Sequence, residues 1–268
     1  MRITEVRAEP ISGEINPDVA IISSLGKHIA GQYVLVRIGD DDGRVGFGEA
    51  SVTSVWSGET QSGAIALIEQ VLRPLLIGTD PFDLEQLSHH MSRIAFGNSF
   101  ARAAVEMALL DLQGRALNVP VCQLLGGKGV DAEQGIRLKF VIGAVEPSLA
   151  AERAERMVKK GWTAIKVKVG KDPHPETDLI RLREVRDAIG PDVFLSIDAN
   201  GGFSVDQAVW LARRIIPLNV ALFEQPTPRG EHHNMALLRQ KVDIPIMADE
   251  SVFTPQDALS VIRHQAAD

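Results

Sequence analysis

Two lysines and three acidic residues recur at regular intervals in the second half of this sequence, where short apolar segments end. Lys166 and Lys168 lie in the segment GWTAIKVKVG, and Asp198, Glu224 and Asp249 end three later apolar segments. From Lys168 onward the charges are 25–30 residues apart, about the length of one strand–helix unit. We therefore expect them at the carboxyl ends of successive parallel strands, where such sheets gather their active sites.

Three carboxylates that meet at one place repel each other unless a positive charge lies between them. A hard divalent cation supplies that charge, since Mg²⁺ prefers oxygen ligands and often keeps water or substrate among them. Asp198, Glu224 and Asp249 would provide three oxygens and leave about three octahedral positions open. No histidine or cysteine stands at these strand ends, which argues against zinc and against a zinc hydrolase. We expect Mg²⁺, with Mn²⁺ as the alternative.

The two lysines are candidates for proton transfer. They are two residues apart, so their side chains project from the same side of a strand, which we expect to be the side of the cation. The cation, the neighbouring ammonium and partial burial all disfavour the protonated form, so we expect a lowered pKa. Lys168 is nearer the strand end and is interpreted as the general base, with Lys166 as its electrostatic neighbour. This pairing predicts removal of a proton α to a substrate carboxylate, through an enediolate that the metal stabilises.

The elements that position these residues can be predicted from hydrophobic periodicity. From about residue 135, an apolar strand pattern alternates with a helical pattern five times, which indicates βαβ units and a parallel sheet, either a barrel or a doubly wound sheet. The first third instead predicts strands at 1–11, 32–39 and 44–50, with a hairpin turn at Asp42-Gly43, and then helices. We therefore predict an α+β domain at 1–130 and a (β/α) domain at 131–268.

The overall composition is that of a globular protein. The 268 residues are 45% hydrophobic and 24% charged, and the net charge of −7 argues against a nucleic-acid partner. A single cysteine fits a reducing compartment. Neither a signal peptide nor an apolar run long enough to span a membrane is found. We expect a cytoplasmic protein that does not bind membranes.

Five segments give the sequence its resemblance to a known family: KVK at 166–168, DAN at 198–200, EQP at 224–226, ADES at 248–251 and GNSFARAAVEMALLDLQG at 97–114. Together they resemble the enolase superfamily, which pairs a Lys or His base with Mg²⁺, and within it the muconate-lactonizing subgroup of the mandelate racemase/muconate lactonizing enzymes. The resemblance implies an α/β fold, a modified TIM barrel with an N-terminal α+β capping domain, that assembles as a homo-oligomer. It also implies that Asp198, Glu224 and Asp249 are the metal ligands.

The resemblance further implies roles for residues around the ligands. Asn200 and Glu250 would support the metal site. Loops around 16–31 and 51–59, which include Ile21, Ile22 and Trp56, would select the substrate.

The activity implied by the resemblance is that of a metal-dependent cycloisomerase of aromatic catabolism, which interconverts an unsaturated dicarboxylate and its lactone. Dipeptide epimerase and o-succinylbenzoate synthase are alternatives that use the same site on a small carboxylate substrate. One departure from the family stands out, because the chain ends at Asp268, before the sixth barrel strand and its opposing lysine. We therefore expect an incomplete barrel, and a catalytically inactive fragment or scaffold is the alternative from another class.

Overall fold

The computed structural model describes residues 1–17, 19–128 and 135–268. Two compact units emerge from it. The first contains Met1–Glu14 and Ala30–Ile136, and the second contains Ile15–Ile29 and Arg137–Asp268. Residues 15–29, which the sequence analysis assigned to the first domain, thus belong to the second unit. The predicted boundary between residues 130 and 131 lies outside the described residues.

Strands and helices follow the predicted order along the chain, apart from a short hairpin at 21–28 in the predicted loop around 16–31. The strands are β1 (Ile3–Glu14), β2 (Ile21–Ser23), β3 (Gly26–His28), β4 (Ala30–Asp40), β5 (Val45–Ser51), β6 (Phe140–Ile142), β7 (Ala164–Lys168), β8 (Phe194–Asp198), β9 (Val220–Glu224) and β10 (Ile246–Met247). The α-helices are α1 (Gln61–Leu67), α2 (Arg73–Leu76), α3 (Leu84–Ile94), α4 (Ser99–Leu117), α5 (Val121–Leu124), α6 (Pro147–Lys159), α7 (Glu176–Ile189), α8 (Val205–Arg214), α9 (His232–Arg239) and α10 (Pro255–His264).

The first unit is built on a three-stranded antiparallel sheet in the order β1-β4-β5. Strand β4 shows the period of two that a half-buried strand requires. Val34, Val36 and Ile38 are fully buried, whereas Leu35 and Arg37 between them are partly exposed. The buried face packs against α1 and α4 in one hydrophobic core.

Two glycines in β5 allow the strand to lie directly on α4. A Cβ atom added to Gly48 would come within 1.9 Å of the Ala104 carbonyl oxygen, and one on Gly46 within 2.1 Å of the Ala108 carbonyl oxygen. The two glycines of the GFG sequence therefore let the backbone of β5 contact the backbone of α4, where a side chain would not fit.

Substitution of Gly48 by alanine should destabilise the protein by about 3 kcal/mol, because the added methyl group has to push the α4 backbone away. Urea denaturation measures the difference. Gly13→Ala in β1 is the matched control, since a Cβ atom there meets nothing within 4 Å. Equal midpoints for the two variants would contradict direct strand–helix packing.

The second unit contains a parallel sheet of five strands in the order β10-β9-β8-β7-β6, each followed by a helix. This is the predicted alternation. On β7, Ile165 and Val167 are fully buried and belong to the same hydrophobic core as Ala154 of α6 and Leu182 of α7. Because side chains alternate along a strand, the residues between them face away from these helices. The helix layer thus fixes which side of the sheet carries the lysines.

Strand β10 is shorter than predicted. The sequence analysis predicted a strand that ends at Asp249, but only Ile246 and Met247 pair with β9. The chain leaves the ladder before Asp249, whose backbone N–H donates to the side-chain oxygen of Gln225 and not to a neighbouring strand. The Gln225 side chain thus accepts the hydrogen bond that a neighbouring strand would have accepted if β10 had continued.

Within the described ranges, no helix combines the length and apolar character needed to cross a lipid bilayer.

Candidate active site

Strand register brings the predicted site residues together at one end of the sheet. Lys168 of β7 is the register partner of Asp198 on β8, which in turn is the partner of Glu224 on β9. Asp249 follows two residues after the end of β10, which pairs with β9 through Met247 and Glu224. Each residue ends or follows its strand, so the carboxyl ends of neighbouring strands collect all four charges.

Both lysines point to the same side and both contact carboxylates. The Lys166 amine donates to Glu224 Oε1 at 2.8 Å and lies 3.2 Å from Asp198 Oδ2. The Lys168 amine donates to Asp198 Oδ2 and to Asn200 Oδ1, each at 2.6 Å. Asp198 therefore lies between two ammonium groups, and the repulsion between the lysines is offset by the carboxylate that they share.

The three acidic residues form a cluster that fits a divalent cation. One carboxylate oxygen from each of Asp198, Glu224 and Asp249 lies within 4.8 Å of the others. Asp198 and Glu224 are buried, and Glu224 Oε2 is a buried oxygen without a hydrogen-bond partner among the described residues. A buried, unpartnered carboxylate oxygen is costly unless a cation or proton satisfies it. The all-oxygen donor set is the kind that Mg²⁺ prefers.

The pKa values of the acids reflect crowding. Burial, reinforced by the charge of Asp198, raises the pKa of both Glu224 and Asp249. Burial also acts on Asp198, but the two lysines outweigh it and lower the pKa of that carboxyl. The cluster therefore holds more negative charge than its two lysines balance easily, which favours a bound cation.

Without a cation, the pKa of Lys166 is raised, and the predicted lowering, which was made for the cation-bound site, stays a prediction. Burial acts to lower the pKa of Lys166, but the charges of Asp198 and Glu224 and the hydrogen bond to Glu224 outweigh it and raise the pKa. The sequence analysis weighed the neighbouring ammonium but not the distances to the carboxylates. Hydrogen bonds of about 3 Å to buried carboxylates are strong enough to reverse the sign.

Asn200 and Glu250, predicted to support the metal site, lie in one hydrogen-bonded group with Lys168. The Asn200 side chain accepts from Lys168 and donates to Glu250 Oε1 at 2.5 Å. Its backbone N–H donates to Asp198 Oδ1 at 2.9 Å. Asn200 thus contacts the lysine, a cluster carboxylate and Glu250 at once, which holds the amide in one orientation.

Ile21 and Ile22, predicted to select the substrate, lie in the β2–β3 hairpin of the second unit. The Ile22 carbonyl accepts from the backbone N–H of Ala144, beyond the end of β6. Ser24 Oγ donates to the carbonyls of Ala199 and Asn200, at 2.8 and 3.0 Å. The hairpin is therefore anchored beside the Asp198 turn. Trp56, also predicted to select the substrate, lies in the first unit, where it packs edge-on against Phe100 with ring centroids 5.3 Å apart.

Substitution of Ser24 by alanine should loosen this hairpin without unfolding the unit. The loss of a hydrogen bond worth about 1 kcal/mol should speed amide hydrogen exchange in residues 21–28 about fivefold. Mass spectrometry of the exchanged peptides measures it. Ser92→Ala is the control, because that hydroxyl donates only to the His89 carbonyl within its own helix. Unchanged exchange in Ser24→Ala would mean that the hairpin is held by other contacts.

Three residues near the site were missed by the sequence analysis. Asp178 and Arg181 form a buried ion pair. Asp178 also accepts from the Gly170 backbone N–H at 2.9 Å, and Arg181 donates to the Val145 carbonyl at 2.6 Å. The pair thereby fixes the segments that follow β6 and β7. Gln225, the middle residue of EQP, is fully buried beside Glu224. Acidic and basic positions three apart on a helix are common on surfaces, so the sequence carried little signal for the ion pair.

A second acidic group, Asp40, Asp41 and Asp42, occupies the turn between β4 and β5. Asp40 accepts from the backbone N–H groups of Asp42 and Arg44, and Asp41 accepts from that of Arg2. These carboxylates stabilise a hairpin turn, and Arg44 forms ion pairs with Asp40 and Asp42.

Sequence models of two protein families match the chain. "Mandelate racemase / muconate lactonizing enzyme, N-terminal domain" matches residues 13–126, and "Enolase C-terminal domain-like" matches residues 149–268. The L-Ala-D/L-Glu epimerase of Bacillus subtilis is 36% identical over 239 residues, 88% of this chain and 64% of the relative. The chloromuconate cycloisomerase of Cupriavidus pinatubonensis is 33% identical over 88% of this chain and 63% of the relative.

A solved structure supports the same kinship. The dipeptide epimerase of Cytophaga hutchinsonii, complexed with Mg and the dipeptide D-Ala-L-Val, superimposes with a TM-score of 0.93 at 34% identity, covering 100% of this chain and 71% of that one. The chain spans slightly less than two thirds of the length of the two curated relatives named above. The predicted fold class, a modified TIM barrel with an additional N-terminal α+β domain, is confirmed, and so is the predicted resemblance. The chain belongs to the mandelate racemase/muconate lactonizing enzyme family of the enolase superfamily.

Proposed function

We propose that this protein moves the proton on the carbon α to a substrate carboxylate, at a divalent cation held by Asp198, Glu224 and Asp249. The observation that carries the proposal is the position of Lys168, whose amine lies 2.6 Å from one carboxylate of a three-carboxylate cluster. The α-protons of carboxylates are very weakly acidic, so a base and a concentrated positive charge have to act on the same substrate group.

The two lysines have different parts in this proposal. Lys168 in its neutral form takes the α-proton, and its contacts with Asp198 and Asn200 hold the amine in place. Lys166 donates to Glu224 and lies 3.2 Å from Asp198, and acts as the electrostatic neighbour of Lys168. A bound divalent cation, Mg²⁺ or alternatively Mn²⁺, would supply the charge that stabilises the enediolate form of the substrate carboxylate.

The substrate that we propose is a dipeptide or similar amino-acid derivative, so that the reaction is an epimerisation. The sequence analysis put muconate cycloisomerisation first and dipeptide epimerisation second. We propose the reverse order, and support for it comes from the Bacillus subtilis and Cytophaga hutchinsonii epimerases, which are 36% and 34% identical to this chain. Cycloisomerisation remains the second candidate, supported by the 33% identity to the Cupriavidus pinatubonensis enzyme. Both reactions move a proton α to a carboxylate, so the same residues serve either one.

Solvent deuterium exchange tests the proposal. The chain is incubated in D₂O with Mg²⁺ and, in separate samples, L-Ala-L-Glu and L-Leu-L-Tyr, and the α-proton signals are followed by NMR. Loss of the α-proton signal of the C-terminal residue, whose α-carbon bears the carboxylate, is expected, and a chelator should stop it. This readout requires only one base, because exchange on a single face of the substrate is visible without inversion.

A parallel sample contains cis,cis-muconate, whose ultraviolet absorbance falls when it is lactonised. Turnover of muconate without dipeptide exchange would favour the second candidate over the first. No reaction with any of these substrates, in a sample that binds the cation, would favour the scaffold alternative and overturn the proposed catalysis.

A further inference from the structure

Gln225 combines three unusual properties. It directly follows Glu224, its accessible surface is 0%, and its φ angle is +34°. Non-glycine residues with positive φ are uncommon, and such backbone strain persists only where surrounding contacts over-determine the conformation. The contacts of Gln225 therefore have to hold it in place.

Both the oxygen and the nitrogen of the Gln225 side-chain amide form hydrogen bonds. Its Oε1 atom accepts from the backbone N–H of Asp249 at 2.9 Å and from that of Ser251 at 3.2 Å. Its Nε2 atom donates to Ser251 Oγ at 2.8 Å and to the Thr227 carbonyl at 2.9 Å. The amide thus fills the space between the end of β9 and the segment after β10, and a fifth contact, from Nε2 to Met235 Sδ at 3.6 Å, reaches α9.

The backbone of Gln225 makes two further connections. Its N–H donates to the Met247 carbonyl and its carbonyl accepts from the Gly201 N–H, both at 2.8 Å. Gly201 lies in the turn after Asp198. One residue is therefore connected to all three chain segments that carry the clustered carboxylates.

We propose that Gln225 is a positioning residue that sets where the Asp249 carboxylate stands relative to that of Glu224, and so tunes the affinity of the cluster for its cation. This inference rests on the proposed function, which assigns a cation to the cluster. Asp249 has left the sheet ladder, so its backbone depends on the Gln225 amide for a hydrogen-bond acceptor. Glutamate in place of Gln225 would have no donor for the Thr227 carbonyl, and asparagine would be one methylene shorter.

A purely structural role for Gln225 predicts a different outcome. In that case its loss would lower the stability of the fold but leave cation affinity unchanged in molecules that remain folded. A positioning role predicts lower cation affinity beyond any loss of stability. Cation affinity and the unfolding midpoint in chelator therefore have to be measured separately.

The experiment titrates Mn²⁺ and Mg²⁺ into the unmodified chain and into Gln225→Met and Gln225→Gly by isothermal calorimetry, with urea denaturation in chelator alongside. Methionine keeps the size of the side chain but loses the amide. Glycine relieves the positive φ and gives a second variant should methionine prevent folding. Gln113→Met is the matched control, because Gln113 is also buried but donates to the Pro81 carbonyl in the first unit.

We expect both Gln225 variants to bind the cation about 10- to 100-fold more weakly than the unmodified chain, the loss typical of residues that orient metal ligands. Gln113→Met should lose stability in chelator yet keep the affinity within about twofold, since it leaves the ligands untouched. A folded Gln225 variant with unchanged affinity would overturn this inference and leave the proposed function standing. Absence of cation binding by the unmodified chain would overturn the proposed function and this inference with it.

Discussion

Replacement of Lys168 by methionine should slow α-proton exchange about a thousandfold, the midrange of what a positioned general base contributes. Methionine fills a similar volume, so the 8% exposed site stays packed while the amine is removed. Cation affinity should change little, because Asp198, Glu224 and Asp249 are retained. The effect should therefore fall on the rate at saturating substrate and cation.

The measurement is the deuterium exchange assay under saturating conditions, with calorimetry to verify that the variant still binds the cation. Lys171→Met is the matched control, since Lys171 is an exposed lysine just beyond the same strand. We expect unchanged exchange in the control. Exchange in Lys168→Met at more than about a tenth of the unmodified rate would assign the base to another residue.

Replacement of Glu224 by glutamine should separate cation binding from folding. Burial raises the pKa of Glu224, which means that keeping this carboxylate ionised lowers the stability of the folded protein. The neutral amide removes that cost but also takes away the negative charge beside the Lys166 amine, which lies 2.8 Å from Glu224 Oε1. We expect the variant to be less stable than the unmodified chain in chelator, because neutralising one member of a buried ion pair leaves the other charge less compensated.

Added cation should then distinguish the two proteins sharply. At 100 times its dissociation constant, a cation stabilises the unmodified chain by about 2.7 kcal/mol, whereas a hundredfold weaker site would gain only about 0.4 kcal/mol. Urea denaturation with and without Mn²⁺ measures this gain. Glu59→Gln is the matched control, because Glu59 is a buried glutamate that accepts from the backbone N–H groups of Phe100 and Ala101. A full gain in Glu224→Gln would remove Glu224 from the ligand set.

Much of the parallel sheet and the ends of its strands could be predicted from the sequence. The repeat of 25–30 residues between Lys168, Asp198, Glu224 and Asp249 reflects a βα unit, and equivalent positions in such units meet at one edge. The spacing of Lys166 and Lys168 likewise predicted that both side chains share one side of β7. These inferences depend only on periodicity, which a sequence records directly.

Other features depend on contacts that no local pattern records. The hairpin at 21–28 belongs to the second unit because Ser24 bonds to carbonyls about 175 positions away in the chain. The end of β10 is set by Gln225, a residue type with little preference for positive φ. The direction in which the pKa of Lys166 shifts depends on its distances to the carboxylates of Asp198 and Glu224. The division at 130/131, a cytoplasmic location and a homo-oligomer stay predictions.

The most direct test of the account is the position of a bound cation in a crystal of the chain soaked in Mn²⁺, located by its anomalous scattering. The account predicts one strong peak at coordination distance from oxygens of Asp198, Glu224 and Asp249, with the Lys168 amine facing the open side of the ion. A peak at the Asp40–Asp42 turn alone, or carboxylates too far apart to share one ion, would contradict it.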